Sequence, residues 1–252
     1  MRYFIELSYN GKRYHGWQIQ PNAITVQETL ENALSLLLSE KIAVVGCGRT
    51  DAGVHASQFF LHFEVSGKQD TVKLQFKLNT FLPDDIAIHK IFKVEKDTHA
   101  RFGAIYRSYE YRISLDKNPF LVDTTLQLRS QFLDIEKMNS VAKILYEYEN
   151  FKCFSRSKTD VKTYNCTVSN AIWVKEGNLL IFHITANRFL RNMVRAIVGT
   201  LLEVGVGKMD LNTFRSIIES KDRTHAGASV KAQGLFLSKV AYPKELMKNY
   251  NV

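Results

Sequence analysis

The sequence predicts an α+β fold made of two halves, each of which runs strand, helix, strand, strand, helix, strand. Three observations support this prediction: apolar residues alternate with period two in several short segments, they recur with helical spacing in others, and this order of segments occurs twice. The halves share no visible sequence identity, so the repeat is one of element order. The boundary falls near residues 101–105, and we divide the chain into halves at 1–102 and 103–252.

The first half begins with an alternating strand over residues 2–9. Thr25 and Glu28 have the spacing of a capping box, and the apolar stripe that follows through Leu37 predicts a helix. The half continues with a strand from residue 42, a glycine-rich loop, a strand from 58, a helix over 71–79 and a strand over 86–94. This order is that of the ferredoxin-like arrangement, which RNA-recognition modules also use.

The second half repeats the order and adds elements to it. A tyrosine-rich strand over 105–115 precedes a short strand near 126–132 and a helix that Asp134 caps and that runs through Tyr148. The remaining predicted elements are strands over 166–175 and 179–186 with a turn at Gly177-Asn178, a helix over 187–204, a shorter helix from Asp210 and a strand over 234–241. Two such antiparallel sheets can pack side by side and leave a cleft between the halves.

The composition indicates a folded protein with a basic second half. The 252 residues are 45% hydrophobic, which suffices for one large core or two small ones. Lysine and arginine number 34 against 25 acidic residues, for a net charge of +9. Residues 1–100 hold 11 basic and 11 acidic residues, whereas residues 101–252 hold 23 and 14. This asymmetry favours a polyanionic partner such as nucleic acid, although a solvated basic surface is the alternative.

The sequence lacks the patterns of disulfide-rich, metal-binding, secreted and membrane-spanning proteins. Cys47, Cys153 and Cys166 form no close pair, so neither a disulfide framework nor a zinc site is indicated. The seven histidines are scattered, and we expect no metal. The N-terminus lacks the apolar block of a signal peptide, and no apolar run approaches membrane-spanning length. We therefore expect a cytoplasmic protein without a membrane partner.

A glycine-rich loop over residues 46–56 holds the candidate catalytic group. Asp51 lies two residues from Arg49, and a nearby cation keeps a carboxylate ionised, which suits a nucleophile. Its glycines at 46, 48 and 53 allow the backbone to take positive φ, which indicates a shaped loop between two strands. The alternative is a turn with a surface ion pair worth roughly 0 to 1 kcal/mol. The loop is not a dinucleotide-binding fingerprint, because the third glycine is missing, and it is not a phosphate-binding loop, because no Gly-Lys-Ser/Thr string follows. An aspartic protease is also excluded, because it needs two such carboxylates in an all-β fold.

Two further segments suggest contacts with RNA. At about 100° per residue, Arg188, Arg191 and Arg195 lie within about 60° of one another on the helix predicted over 187–204. Such a row is either a solvated face or a phosphate-binding one, and arginine favours phosphate. Trp17 lies in an aromatic loop, where it either stacks on bases or is buried.

The string Gly48-Arg49-Thr50-Asp51-Ala52-Gly53-Val54-His55-Ala56 resembles the catalytic loop of the tRNA pseudouridine synthase A family. Nearly the whole chain shares in this resemblance. The other matching strings are Tyr9-Asn10-Gly11, Gly16-Trp17-Gln18-x-Gln20-Pro21-Asn22, Thr25-Val26-Gln27, Leu78-Asn79, Leu82-Pro83-x-Asp85-Ile86, His99-Ala100-Arg101-Phe102, Phe189-Leu190-x-x-Met193-Val194-Arg195-x-Ile197-Val198-Gly199 and Gly234-Leu235.

The resemblance implies a role for each of five residues. Asp51 is the expected catalytic aspartate, Arg49 its ionic partner and Tyr109 the active-site tyrosine. Arg195 is the expected second basic residue of the pocket, and Leu235 an apolar wall against the uracil. The resemblance also implies conversion of uridine to pseudouridine in the anticodon stem-loop of tRNA, at tRNA positions 38–40, by a homodimer that needs no cofactor.

Two segments depart from the family pattern. Ser108 and Glu110 stand where the family often has arginines, so contacts with RNA there are expected to differ. A proline that the family commonly has just before the last strand is replaced around Lys231, which leaves the shape of that loop open. A non-catalytic RNA-binding module is the rival from another class, but it does not explain the Arg-x-Asp loop. An inactive relative is disfavoured because Asp51, Arg49 and Tyr109 are all present.

Overall fold

The computed structural model describes residues 1–128, 132–157 and 161–250, which contain five α-helices and nine strands. Antiparallel pairings predominate among the strands, and the pair formed by Tyr106–Ser114 and Leu126–Gln127 is parallel. The predicted α+β class is therefore confirmed. The chain divides into two compact units: unit 1 holds residues 1–106 and the C-terminal residues from Leu237, and unit 2 holds Arg107–Phe236.

Unit 1 is a sheet with two helices. Its elements are β1 (Arg2–Tyr9), α1 (Val26–Leu38), β2 (Val44–Gly46), β3 (His55–Glu64), α2 (Thr71–Phe81), β4 (Ile86–Val94) and β9 (Leu235–Ala241, from Leu237 onward). The strand order is β4-β1-β3-β9, and β2 also pairs with β3. Thr25 and Asp70 accept hydrogen bonds from the first turns of α1 and α2, as helix-capping side chains do.

The central strand β1 is buried on both faces. Ile5 and Leu7 occupy the face that the alternating pattern predicts, and both are fully buried. Phe4, on the opposite face, is also fully buried, and its ring packs against those of Phe92 at 5.7 Å and Tyr242 at 5.5 Å between centroids. A strand in the middle of a covered sheet therefore carries apolar residues at successive positions.

The last strand belongs with unit 1 from Leu237 onward, whereas the predicted division places residues 103–252 in one half. Several hydrogen bonds hold the C-terminal segment in unit 1, and three of them lie around the end of β9. Ile105 N donates to Ala241 O at 2.8 Å, and Val240 N donates to Gln58 Oε1 at 3.0 Å. The Tyr242 hydroxyl donates to Ala100 O at 2.6 Å. The chain thus returns to complete the sheet with which it began.

Unit 2 contains the remaining helices. Its elements are β5 (Tyr106–Ser114, from Arg107 onward), β6 (Leu126–Gln127), α3 (Ile135–Ala142), β7 (Val168–Glu176), β8 (Leu179–Ala186), α4 (Met193–Gly205) and α5 (Leu211–Ser220). The strand order is β5-β8-β7, and β6 runs parallel to β5. The predicted strand near 126–132 is confirmed only at Leu126–Gln127, and residues 129–131 lie outside the described residues.

Two helices of unit 2 are shorter than predicted. Asp134 caps α3 as expected, but the helix ends at Ala142 and continues as a 3-10 turn through Tyr146. The helix predicted over 187–204 begins only at Met193, because Asn192 has a φ of 66° in the left-handed region. No helix in the described part of the chain is long and apolar enough to cross a membrane.

Candidate active site

The Asp51 loop, residues 47–54, joins β2 to β3 and is fixed at both ends. Cys47 N donates to Phe60 O at 2.7 Å, and Phe60 N donates to the Cys47 sulfur at 3.4 Å. Val54 N donates to Asp51 O at 3.1 Å and closes a tight turn. The Asp51 side chain is half-buried and Arg49 is exposed. Their ion pair stays a prediction.

Thr50, the residue before Asp51, is anchored by its side chain and by its backbone. Its hydroxyl lies 2.9 Å from the hydroxyl of Tyr9 in a buried hydrogen bond. Its carbonyl accepts from Trp17 N at 3.2 Å. Trp17 is itself buried and stacks on Phe59 at 4.1 Å between ring centroids, so the buried alternative for Trp17 is the correct one.

The first loop, residues 10–17, lies directly against the Asp51 loop, and two of its glycines make this approach possible. Gly16 has a φ of 91°, and a Cβ there would strike the backbone oxygen of Thr50. A Cβ at Gly11 would strike the backbone oxygen of Val54. Gly11 N also donates to Nδ1 of the buried His55 at 3.0 Å. The sequence strings that contain these glycines therefore form one packed unit with the loop.

Of the three glycines between residues 46 and 53 that allow positive φ, one adopts it. Gly53 has a φ of 74°, but Gly46 and Gly48 are absent from the positive-φ residues of the described chain. At Gly46 the constraint is space, because a Cβ would come within 2.6 Å of the Trp17 ring. At Gly48 a Cβ would meet nothing within 4 Å.

Asp85 supports the first loop, a role that the sequence did not reveal although the residue stands in a matching string. Its carboxylate accepts from the Tyr14 hydroxyl at 2.6 Å and forms an ion pair with Arg13 at 2.9 Å. Burial and the carboxylate of Asp85 raise the pKa of Tyr14. The Tyr14 carbonyl in turn accepts from Gly53 N at 3.2 Å. Asp85 therefore helps to position the Asp51 loop through the first loop.

Tyr109 lies in unit 2 on β5, opposite Ile184 of β8. Its half-buried ring meets the ring of Phe189 edge-on at 5.0 Å and 85°. The neighbouring departures from the family pattern have local partners. The Ser108 hydroxyl lies 2.8 Å from the hydroxyl of Thr185, and Glu110 accepts from Arg112 at 2.7 and 3.2 Å. Glu110 thus offsets the charge of a neighbouring arginine.

Two hydrogen bonds join Arg195 to the segment before β9. Arg195 Nε donates to Val230 O at 2.6 Å, and Val230 N donates to Arg195 O at 3.2 Å. The buried Tyr111 hydroxyl donates to Lys231 O at 2.8 Å, and burial raises the pKa of this tyrosine. Leu235 follows a short turn over Ala232–Gly234 and is buried.

The loop shape that the sequence left open at Lys231 is the shape that proline favours. Lys231 has a φ of −60° and a ψ of 148°. Proline fixes φ at about −65°, so this backbone accommodates either residue. The missing proline therefore does not redirect the segment that leads to Leu235.

Arg188 and Arg191 do not lie on a helix, so the predicted row of three arginines on one helical face is wrong. The segment over residues 187–192 is tied to the residue before β7, because Asn187 N donates to Thr167 O at 3.1 Å. Arg188 Nη1 donates to Thr163 O at 3.1 Å. Arg191 is exposed, and its carbonyl accepts from Arg156 N at 3.0 Å. Of the three, only Arg195 belongs to α4.

No group in the described residues combines three histidine, cysteine, aspartate or glutamate side chains in a position to hold a metal ion. The three cysteines are buried and form no disulfide. Burial raises the pKa of Cys153 to about 12 and that of Cys166 to about 11. Both thiols are therefore protonated at neutral pH, which makes them poor nucleophiles.

The predicted site residues thus fall into two groups. Asp51 and Arg49 share one loop of unit 1, while Tyr109, Arg195, Leu235, Arg188 and Arg191 belong to unit 2. Residue-by-residue interpretation missed the supports of the Asp51 loop: Tyr9, Thr50 and Asp85. A signal for them existed, since all three stand within strings that match the family.

Comparison with known proteins gives consistent matches over most of the chain. A family model described as tRNA pseudouridine synthase matches residues 7–103 and 144–243. A protein of Parabacteroides distasonis named tRNA pseudouridine synthase A is 51% identical over 246 residues, which cover 97% of each chain. A relative of the same name from Bacteroides thetaiotaomicron is 49% identical, and the match covers 97% of this chain and 92% of the relative. Another from Clostridium kluyveri is 38% identical, and the match covers 94% of this chain and 98% of the relative.

Proposed function

Because the chain belongs to the tRNA pseudouridine synthase A family, we propose that it converts uridine to pseudouridine in the anticodon stem-loop of tRNA, with Asp51 as nucleophile and no cofactor. A pseudouridine synthase is an isomerase. The observation that carries the proposal is the unbroken string from Gly48 to Ala56, which forms a loop braced by buried contacts on both sides of Asp51.

The reaction rearranges bonds within one nucleotide and consumes nothing. The N1–C1′ glycosidic bond breaks, the base turns, and a C5–C1′ bond forms. The proton on C5 is lost and N1 gains one, so atoms and electrons balance without an oxidant or a reductant. The target nucleotide must leave its stack to present these atoms, as in other enzymes that act on a base.

Asp51 supplies the negative charge that this sequence of bonds requires. Its carboxylate can attack C1′, attack C6 of the ring, or assist departure of the base to a glycal-like intermediate, and all three routes use the same side chain. The bracing of Thr50 supports the assignment, because a nucleophile must be held close to its reactive geometry before the substrate binds.

Four other residues complete the proposed site. Tyr109 stacks on the base, and its phenol helps to remove the C5 proton. Arg49 orients Asp51, and Arg195 supplies a second positive charge from a guanidinium that its bond to Val230 O holds in place. Leu235 forms an apolar wall against the uracil.

The finer points of fold and assembly belong to the same proposal. The order β4-β1-β3-β2 within unit 1 supports a ferredoxin-like half. The basic excess after residue 100 supports tRNA as the partner. Arg191, which is exposed, suits a phosphate contact better than Arg188, which is half-buried. A homodimer and a cytoplasmic location complete the proposal.

The function is tested with the purified protein and an unmodified tRNA transcript, and no other component. Carbodiimide treatment followed by primer extension maps each pseudouridine that forms. We expect new stops confined to the anticodon stem-loop. If the protein binds the transcript but no stop appears anywhere, the protein is an RNA-binding module and not a synthase.

Tyr109→Phe separates the two proposed roles of the tyrosine. The variant keeps the ring and its edge-on contact with Phe189 but lacks the hydroxyl. We expect the single-turnover rate to fall by roughly 10²- to 10⁴-fold with tRNA affinity nearly unchanged. Tyr109→Leu is the matched variant, and it is expected to weaken binding as well. A wild-type rate in Tyr109→Phe would leave stacking as the only role.

A further inference from the structure

An exposed aromatic side chain lies in the turn over residues 99–103, which connects β4 to β5. Phe102 is 77% exposed, and its ring lies 4.4 Å from that of His99. The Arg101 guanidinium carbon lies 5.7 Å from the centroid of the Phe102 ring. The string His99-Ala100-Arg101-Phe102 thus presents a ring and a cation together, and neither has a role in the reaction proposed above.

The backbone of this turn is held by side chains of unit 1. His99 Nδ1 accepts from Arg101 N at 3.1 Å and from Phe102 N at 3.3 Å. The buried His62 accepts from Ala100 N at 3.1 Å through its own Nδ1. Gly103 N donates to His99 O at 2.8 Å. A ring presented from so constrained a backbone loses little freedom when it binds a ligand.

A single exposed aromatic residue is common on protein surfaces and needs no explanation by itself. Phe76 on α2, for example, is 73% exposed. Phe102 differs because a histidine supports its ring, because the same histidine fixes its backbone, and because an arginine lies beside it. An aromatic ring with an adjacent guanidinium is the combination that stacks an unpaired base and contacts its phosphate.

We infer that Phe102 and Arg101 form a stacking platform for one unpaired base of the bound tRNA. This inference rests on the proposed function, since it takes tRNA as the ligand. Stacking tolerates any base, so the platform contributes affinity for the RNA without selecting its sequence.

The test measures the dissociation constant of unmodified tRNA for the full-length protein and three variants. Phe102→Ala removes the ring, Phe102→Trp keeps a ring, and Phe76→Ala is the control for loss of an equally exposed phenylalanine. We expect Phe102→Ala to bind roughly 5- to 100-fold more weakly. Phe102→Trp and Phe76→Ala are expected to bind within about twofold of the wild type.

Fluorescence of Phe102→Trp supplies a second readout. The two natural tryptophans, Trp17 and Trp173, are buried, so the added indole reports on the platform. We expect tRNA to quench it beyond any change in the wild-type protein. The inference is overturned if Phe102→Ala binds tRNA as the wild type does and the added tryptophan is not quenched. If the wild type still forms pseudouridine, that result leaves the proposed function intact. If the wild type neither binds tRNA nor forms pseudouridine, the proposed function and the stacking platform are both overturned.

Discussion

The Asp51 loop and the segment over residues 187–192 are both irregular, but they are held in different ways. The Asp51 loop is enclosed: the first loop packs on it so closely that Gly11 and Gly16 admit no side chain. The segment over 187–192 is tied down by hydrogen bonds while Arg191 remains exposed. An enclosed loop fixes one side chain for chemistry, whereas a tethered exposed segment offers charge to a large ligand.

The largest effect is expected where the two loops of unit 1 meet. Gly16→Ala places a Cβ on the Thr50 oxygen and demands a φ of 91°, which alanine disfavours. We expect the free energy of unfolding to fall by about 3 kcal/mol or more, measured by denaturant titration. Gly48→Ala is the control, because a Cβ there meets nothing within 4 Å, and its expected loss is below about 1 kcal/mol. Equal losses in the two variants would show that the loops are not packed as described.

The turn over residues 99–103 resembles the Asp51 loop in being held by buried side chains, but one of its supports titrates. Burial, helped by the charges of Arg2 and His99, lowers the pKa of His62 from 6.5 to about 4. The folded protein therefore binds fewer protons than the unfolded chain between these values. Stability from this group is fully present above pH 6.5 and is lost as the pH falls towards 4.

His62→Asn tests this pH dependence. Asparagine offers a neutral oxygen to Ala100 N and does not titrate. We expect the wild type to lose on the order of 3 kcal/mol more than the variant between neutral pH and pH 4, measured as unfolding free energies across the range. Identical pH profiles for the two proteins would contradict a neutral buried His62.

The smallest effect is expected in the exposed segment. Arg191→Ala should leave stability within about 0.5 kcal/mol, because the side chain is exposed. If the arginine contacts a phosphate, the dependence of log affinity on log salt flattens by roughly 0.7 to 0.9. Lys41→Ala, a loss of an exposed charge in unit 1, is the control and should leave the slope unchanged. An unchanged slope in Arg191→Ala would make this arginine a solvated charge.

The elements that the sequence predicted well are those with local signals. Thr25, Asp134 and Asp210 mark helix starts because a capping side chain acts within its own first turn. The start of α4 was wrong because periodicity cannot register that Asn192 adopts a left-handed conformation and that Asn187 is bonded to Thr167. These constraints come from the backbone and from distant parts of the chain.

Prediction from local sequence meets the same limit at the candidate site. The string around Asp51 was recognisable as a whole, but the reason for each residue was not. Gly46 is constrained by the nearby Trp17 ring. Thr50 is anchored by a hydrogen bond to Tyr9, which lies 41 residues away in the chain. Likewise, β9 could not be assigned to unit 1 from its own sequence, because its partner strand lies far away in the chain.

The central claim is that the carboxylate of Asp51 performs the chemistry and contributes little to binding. The most direct measurement compares the wild type with Asp51→Asn and Asp51→Ala at saturating tRNA in single-turnover reactions, with tRNA affinity determined in parallel. Asp84→Asn, which removes an exposed carboxylate of the same unit, is the control. We expect no detectable pseudouridine from either Asp51 variant, affinity within severalfold of the wild type, and full activity in the control. Measurable turnover by Asp51→Ala would show that the Asp51 carboxylate does not perform the chemistry.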